Sequence, residues 1–408
     1  MGVLIRKNNG GVCVPEGFRA AGAACGIKSG SAQKDIALIV SDTMCSAAAV
    51  YTTNKVKGAP LEVTRKNLEN GRAQVIICNS GNANTCAPGG VELAEKTCEL
   101  TADALGIARD DVIVCSTGVI GQKLDIEPFV EGVPLLAGQL SYDGSDDAAE
   151  AIMTTDTVPK SIAFEFEAGG RKCSIGGIAK GSGMINPNMA TMLSFITTDV
   201  SISPQMLEKA LKEAAACSYN QICVDGDTST NDMAAVLANG MAGNEQIISE
   251  GPDYEAFREA LIETTVYLAK KLARDGEGAT KLIECNVKGA PDDVAAQSIS
   301  KTVISSNLLK AAIFGEDANW GRVLCAIGYS NGKFSTDNID VSMSSSRVSV
   351  LVCEGSRHKE YSEEKASEIL SEENIIIDIN MNQGKGCATA WGCDLTYDYV
   401  RINGDYRS

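Results

Sequence analysis

Short apolar runs closed off by turn residues alternate with amphipathic stretches along this whole chain, and that alternation is what most restricts its fold. Residues 35–40, 74–78 and 112–115 are brief apolar runs of the kind that forms buried strands. Between the last two, residues 91–105 carry Leu93, Cys98, Leu100 and Leu105 with charges interspersed, the spacing of a helix with one apolar stripe. Residues 162–175 predict a hairpin turning at Gly169-Gly170, with Phe164 and Phe166 alternating against Glu165 and Glu167. A strand is expected over 193–198. Ser203-Pro204 then supplies an N-cap and a first-turn proline to a helix running towards Cys217. A longer helix is expected over 253–274, through Phe257, Leu261, Leu268 and Leu272, stopped by a glycine cap at Asp275-Gly276. Residues 374–380 again read as a strand. This mixture predicts an α/β fold of layered sheets and helices, not a bundle or an all-β sandwich.

At 408 residues the chain is long enough for a large core and more than one lobe. No Pro/Ser-rich linker divides it, so the expected boundary is chemical and falls at 190/191. A formal net charge of −17 argues against a nucleic-acid partner, which requires a basic face to displace counterions. The N-terminal Met1-Gly2-Val3-Leu4-Ile5-Arg6-Lys7 lacks the pattern of a signal peptide, and Gly2 lacks the Ser or Thr of a myristoylation site. No run approaches the roughly 18 apolar residues of a membrane span. A cytoplasmic protein with no membrane partner is expected.

The 15 cysteines are odd in number, irregularly spaced and without any C-x-x-C pair, so they read as reduced thiols rather than as a disulfide framework or a metal site. The single histidine, His358, lies in the charged stretch Ser356-Arg357-His358-Lys359-Glu360 and is expected at the surface. Its isolation argues against Ser-His-Asp and Cys-His triads and against multi-histidine metal sites. Any hydroxyl nucleophile must find its base elsewhere.

Four places remain for chemistry. The small-residue run Lys180-Gly181-Ser182-Gly183 and the following Met184-Ile185-Asn186-Pro187-Asn188-Met189-Ala190 give way abruptly to the apolar segment that starts at Thr191. Thr191 is either the opening residue of a strand or a nucleophile. As a chain N-terminus it would carry its own base, an α-amine with a reference pKa of about 8. The glycines there match neither a dinucleotide fingerprint nor a P-loop. Ser116-Thr117-Gly118 follows a buried strand, where a loop of small residues can offer hydroxyl and backbone donors to an oxyanion, or can be an ordinary turn. Glu277 stands between two glycines, which suits either close approach to a ligand or a solvated helix end. Finally, the tail from Tyr399 to Ser408 has residues able to pack, and its Asn403 is then able to reach a site.

Taken together, these segments resemble the ornithine acetyltransferases, the bifunctional proteins of arginine biosynthesis. The resemblance is carried by Gly177 through Leu193, and by Asn79-Ser-Gly-Asn-Ala-Asn84, Ser116-Thr-Gly-Val-Ile-Gly121, Met153-Thr-Thr-Asp-Thr157, Val224 through Asp232, Gly315 through Trp320 and Tyr399 through Asn403. It spans essentially the whole chain, in order. It implies a self-processing N-terminal-nucleophile enzyme cut between Ala190 and Thr191 into an α chain of residues 1–190 and a β chain of 191–408. It implies acetyl transfer from N2-acetyl-L-ornithine to L-glutamate through acetyl-Thr191, with Thr117 and Gly118 as oxyanion hole and Thr154, Lys180, Thr191, Glu277, Asn403 and Ser408 as substrate contacts. Members of the family differ in whether acetyl-CoA is a second donor; no cofactor or metal would be needed, and two α and two β chains would form a heterotetramer. The alternative is a self-processing aminopeptidase or amidase that releases its acyl group to water.

Overall fold

The structure, a computed structural model, describes residues 4–7, 10–28, 30–186 and 192–405. Among these, two mixed β-sheets of nine and seven strands carry helices on their faces, the layered α/β arrangement that the alternation predicts.

The first sheet runs in the order Ile5–Arg6, Lys160–Ala168, Arg171–Lys180, Leu193–Thr198, Met233–Ala238, Ile36–Tyr51, Arg72–Asn82, Val112–Val119, with Phe18–Ala23 paired to Ile36–Tyr51. Leu193–Thr198 is antiparallel to Arg171–Lys180, with Leu193 opposite Lys180, and parallel to Met233–Ala238, with Leu193 opposite Met233. All six of its residues are buried. The strand that opens the predicted β chain is therefore a central one, flanked by one neighbour from each side of the 190/191 boundary. Core residues from before and after that point pack together: Phe166, Ile175, Ile196, Leu207, Phe257, Leu261 and Leu268 belong to one cluster. The boundary is not one between separately folded domains.

Helices Pro204–Cys217 and Pro252–Arg274 cover one face of this sheet. Ser203 caps the first of them by accepting from the Met206 N–H, as its sequence predicts. Helices Gly90–Leu105 and Glu127–Gln139 pack on Ile36, Leu38, Val75, Ile77, Val112 and Val114 through Ala94, Cys98, Phe129, Val133 and Leu136. The second sheet is built around Leu282–Ala290, Asn374–Asn380 and Gly386–Cys393, with helix Asp293–Ser305 on one face. The hairpin of Lys160–Ala168 and Arg171–Lys180 turns at Gly169-Gly170, both with positive φ (57° and 67°).

Several expected boundaries move, the strand expected over 74–78 among them, which spans Arg72–Asn82. The strand predicted over 35–40 continues to Tyr51, past a bulge between Val40 and Cys45 that lets Ser41-Asp42-Thr43 interrupt the apolar run without ending the strand. The strand predicted over 112–115 continues to Val119, so Ser116, Thr117 and Gly118 lie in a strand rather than in the loop after it. Parallel pairing with Asn79–Gly81 holds them there. The 15 cysteines are free thiols, many of them buried, and His358 is exposed, stacked on Trp320 at 5.9 Å between ring centres.

Candidate active site

The ends of strands Val112–Val119 and Arg171–Lys180, the residue before Met233 and the segment beyond helix Pro252–Arg274 open onto one cavity. It is lined by Thr117, Gly118, Thr154, Lys180, Glu277 and Asn403, six residues singled out from the sequence and now brought together. Met192, Leu193, Asp232 and Tyr399 line it as well. Ala190, Thr191 and Ser408 lie outside the described residues.

Thr117 and Lys180 meet directly: the Lys180 ammonium donates to Thr117 Oγ1 at 3.3 Å. A hydroxyl that accepts from an ammonium keeps its own proton to donate elsewhere, which is what an oxyanion donor requires. Gly118 has φ of 130°, and a Cβ at that position would sit 2.3 Å from the Gly81 carbonyl carbon, so only glycine lets the two strands approach here. Asn231 fixes this strand in place. Its Nδ2 donates to the carbonyls of Ala83 and Ser116, at 2.5 and 2.9 Å, while its Oδ1 accepts from Thr85 and Thr230, each at 2.6 Å. Ser116 in turn donates to Asn79 Oδ1 at 2.6 Å. Three motifs distant in sequence thus interlock around the Thr117-Gly118 edge.

The strand end that carries Lys180 is tied to a buried charge cluster through the Gly181 N–H. Lys160, whose side chain is fully buried, donates at 2.6 Å to both Asp156 and Asp275. Asp156 also accepts from the backbone N–H groups of Gly181 (2.7 Å) and Thr154 (3.1 Å). Asp275 accepts from Thr157 through both its hydroxyl and its N–H, and the Asp275 carbonyl accepts from Ser182 Oγ at 2.6 Å. Burial pushes the Asp156 carboxyl up, but Lys180 and Lys160 outweigh it together with the Gly181 N–H, and its pKa lies at about 2. One Asp–Lys–Asp cluster therefore ties together the segments that carry Thr154, Lys180 and Glu277.

Glu277 lies directly over Gly183, where an added Cβ would come within 2.5 Å of its carboxyl carbon. Its Oε2 accepts from Asn403 Nδ2 at 2.7 Å, and its own N–H donates to the Ser182 carbonyl at 3.1 Å. Asn403 comes from helix Tyr397–Asp405, which docks close enough that a Cβ on Gly278 would be 2.7 Å from the Tyr399 nitrogen. The tail forms a helix that reaches the site through Asn403, but none of its described residues is buried, and Tyr397 and Val400 stay exposed. The helix stops at Asp275-Gly276 as expected, with Asp275 as its C-cap, but Gly276 does not take the left-handed conformation of a glycine cap. Gly276 is needed for close packing instead, since a Cβ there would sit 2.9 Å from Cys393 Sγ.

Sequence reasoning about chemistry did not single out Asp156, Lys160, Asp275, Asn231 or Asp232. The i, i+4 spacing of Asp156 and Lys160 is a weak signal for a pair, but nothing in it marks a lysine that is fully buried.

The sequence profile of the ArgJ family matches residues 19–408. The arginine biosynthesis bifunctional protein ArgJ of Symbiobacterium thermophilum is 50% identical over 401 residues, covering 98% of this chain and 99% of that protein. The protein of the same name from Bacillus subtilis is 46% identical over 406 residues, covering 99% and 98%. The crystal structure of the arginine biosynthesis bifunctional protein from Bacillus halodurans is 47% identical, with a TM-score of 0.51, and covers 53% of this chain and 100% of its own. With profile, length and site motifs in agreement, the chain belongs to the ArgJ family.

Proposed function

We propose that this chain, an acetyltransferase of arginine biosynthesis, carries an acetyl group from N2-acetyl-L-ornithine to L-glutamate by a ping-pong route through acetyl-Thr191. The observation that carries this reading is the meeting of the Lys180–Thr117–Gly118 edge and the Glu277–Asn403 pair in one cavity lined also by Met192, the residue bonded to Thr191. In this reading the precursor cuts itself between Ala190 and Thr191, and the new α-amine takes the Thr191 hydroxyl proton as Oγ attacks the acetyl carbonyl. The Thr117 hydroxyl and Gly118 N–H stabilise the tetrahedral oxyanion, a contribution of roughly 3 kcal/mol or more per donor. The C–N bond breaks, ornithine takes the proton and leaves, and the glutamate amine attacks the ester in the second half. Lys180 binds the substrate α-carboxylate with Thr154 beside it. Glu277, Asn403 and Ser408 hold the polar end of the side chain, with Glu277 matched to the ornithine ammonium.

Half-length matching in a close relative supports the cut: one full chain of the Bacillus halodurans structure corresponds to 53% of this chain, the share that residues 191–408 make up. So does the fold, because a scission at a strand entrance leaves both halves bound through a shared core. We propose that the processed halves assemble as two α and two β chains, act in the cytoplasm, use acetyl-CoA as a second donor to glutamate, and need no metal or cofactor. Membership of the ArgJ family disfavours the hydrolytic aminopeptidase or amidase alternative.

Purified wild-type protein is expected to run as two chains on a denaturing gel and Thr191→Ala as one. Incubation with N2-acetyl-L-ornithine alone is expected to add one acetyl group to the β chain by intact mass. A single full-length wild-type band, or an unmodified β chain, overturns the reading. Glutamate acetylation assayed with acetyl-CoA as sole donor tests the second activity.

A further inference from the structure

Asp232 is the carboxylate that the scheme above leaves without a task. It is 3% exposed, lines the cavity shared by Thr117 and Lys180, and its Oδ2 is buried with no hydrogen-bond partner among the described residues. An orphan carboxylate oxygen in a protein interior costs stability unless something supplies its partner. Its position says what that something is. Asp232 directly precedes Met233, whose N–H donates to the Met192 carbonyl at 2.9 Å, and the parallel register of Leu193 with Met233 places Asp232 beside Met192. It thus stands where the chain enters strand Leu193–Thr198, beside the residue that follows Thr191 in sequence. Its own carbonyl accepts from the Thr52 N–H at 3.0 Å, which anchors it from the other flank.

We propose that Asp232 carries the proton in the scission of Ala190–Thr191 and then serves as counter-ion to the amine that the scission creates. This rests on the self-cleavage reading above. Breaking an amide C–N bond requires a proton on the departing nitrogen, and an ionised carboxylate has none to give. Burial holds the Asp232 carboxyl well above the usual carboxylate range, against the opposing pull of Ser229 and Lys180, so the protonated form is the one favoured in the precursor. As Thr191 Oγ attacks the Ala190 carbonyl, one Asp232 oxygen accepts the hydroxyl proton and the other gives its proton to the Thr191 nitrogen. The C–N bond breaks and an Ala190 ester forms on Oγ. Water then hydrolyses that ester, its OH going to the Ala190 carboxyl and its proton to Oγ. The free amine takes the proton from Asp232, leaving a carboxylate paired with an ammonium. In turnover the carboxylate takes that proton back, which frees the amine to accept the Thr191 hydroxyl proton.

Asp232→Asn keeps the shape and removes the transferable proton. In freshly purified full-length protein it is expected to slow the appearance of the two chains by about 100-fold or more, the usual scale of general acid–base catalysis, with the thermal midpoint within a few degrees of Thr191→Ala. Asp232→Glu, which keeps a titratable group, is expected to recover part of the cleavage rate. The Thr191→Ala precursor is expected to show the infrared carbonyl band of a buried protonated carboxylic acid, lost in the Thr191→Ala, Asp232→Asn double variant. Asp232→Asn cleaving at the wild-type rate overturns the proposal while leaving the self-cleavage reading intact. A wild-type chain that never cleaves sinks that reading itself. Where Asp232→Asn folds, no band lost in the double variant overturns it equally; should Asp232→Asn fail to fold, a folded Asp232→Glu without any cleavage does so.

Discussion

Single side chains in this site act through their neighbours' charges. Asp156 is the clearest case, because its carboxyl sits at about 2 although its burial pushes the other way, and Lys180 and Lys160 decide the balance. A carboxyl depressed from an unfolded value near 3.9 to about 2 adds stability that is complete above pH 4 and fades as pH falls towards 2. The size is on the order of 2 kcal/mol. The thermal midpoint of wild type is therefore expected to exceed that of Asp156→Asn at neutral pH, with the gap narrowing between about pH 4 and pH 2; a gap that widens towards acid contradicts this assignment. From the sequence, Thr117, Gly118, Thr154, Lys180, Glu277 and Asn403 were legible through motif resemblance as candidates, and they line one cavity. Asp156 and Asp232 were not, because the burial of the Asp156–Lys160 pair, the Gly181 N–H on Asp156 and the strand register beside Asp232 are not encoded by spacing.

At the scale of elements, the ends of strands and helices were less legible than their middles. The apolar pattern placed helix Pro204–Cys217 correctly, since it buries one regular face, and strand Leu193–Thr198 correctly, as a short run buried on both faces. It ended strand Val112–Val119 too early because Ser116, Thr117 and Gly118 look like loop residues, while their backbone pairing with Asn79–Gly81 keeps them in the sheet. Glycines at the element ends divide into two kinds. Gly118 combines positive φ with backbone contact at 2.3 Å, so any side chain there moves a strand. At Gly183 the obstacle is the end of the Glu277 side chain at 2.5 Å, which can swing aside. Gly183→Ala is accordingly expected to fold and cleave normally but to raise KM for N2-acetyl-L-ornithine several-fold by parting Glu277 from Asn403, with less effect on kcat. Steady-state kinetics check this, and an unchanged KM would count against Glu277 as a substrate contact.

Over the whole molecule, the Asp156–Lys160–Asp275 cluster, with the Gly181 N–H on Asp156, joins three segments that contribute residues to the cavity. Removing one member strands a buried charge, at a cost of roughly 3–5 kcal/mol, whereas replacing all three with neutral groups is far less destabilising. Lys160→Met is expected to lower the thermal midpoint strongly. The triple variant Lys160→Met, Asp156→Asn, Asp275→Asn should regain much of that stability yet keep a raised KM, because Thr154, Lys180 and Glu277 lose their common anchor. A triple variant with wild-type KM would show the cluster to be structural only. The sequence by itself determined the α/β alternation, the helix caps such as Ser203 and the resemblance in its motifs, since these depend on local spacing and residue order. Only the tertiary structure decided that residues before and after 190/191 share one sheet and one core, that a lysine is fully buried between two aspartates, and that Asp232 faces the start of the central strand. Those facts arise from strand register and from burial among distant segments, and a charge acquires its protonation state only when that packing removes it from water.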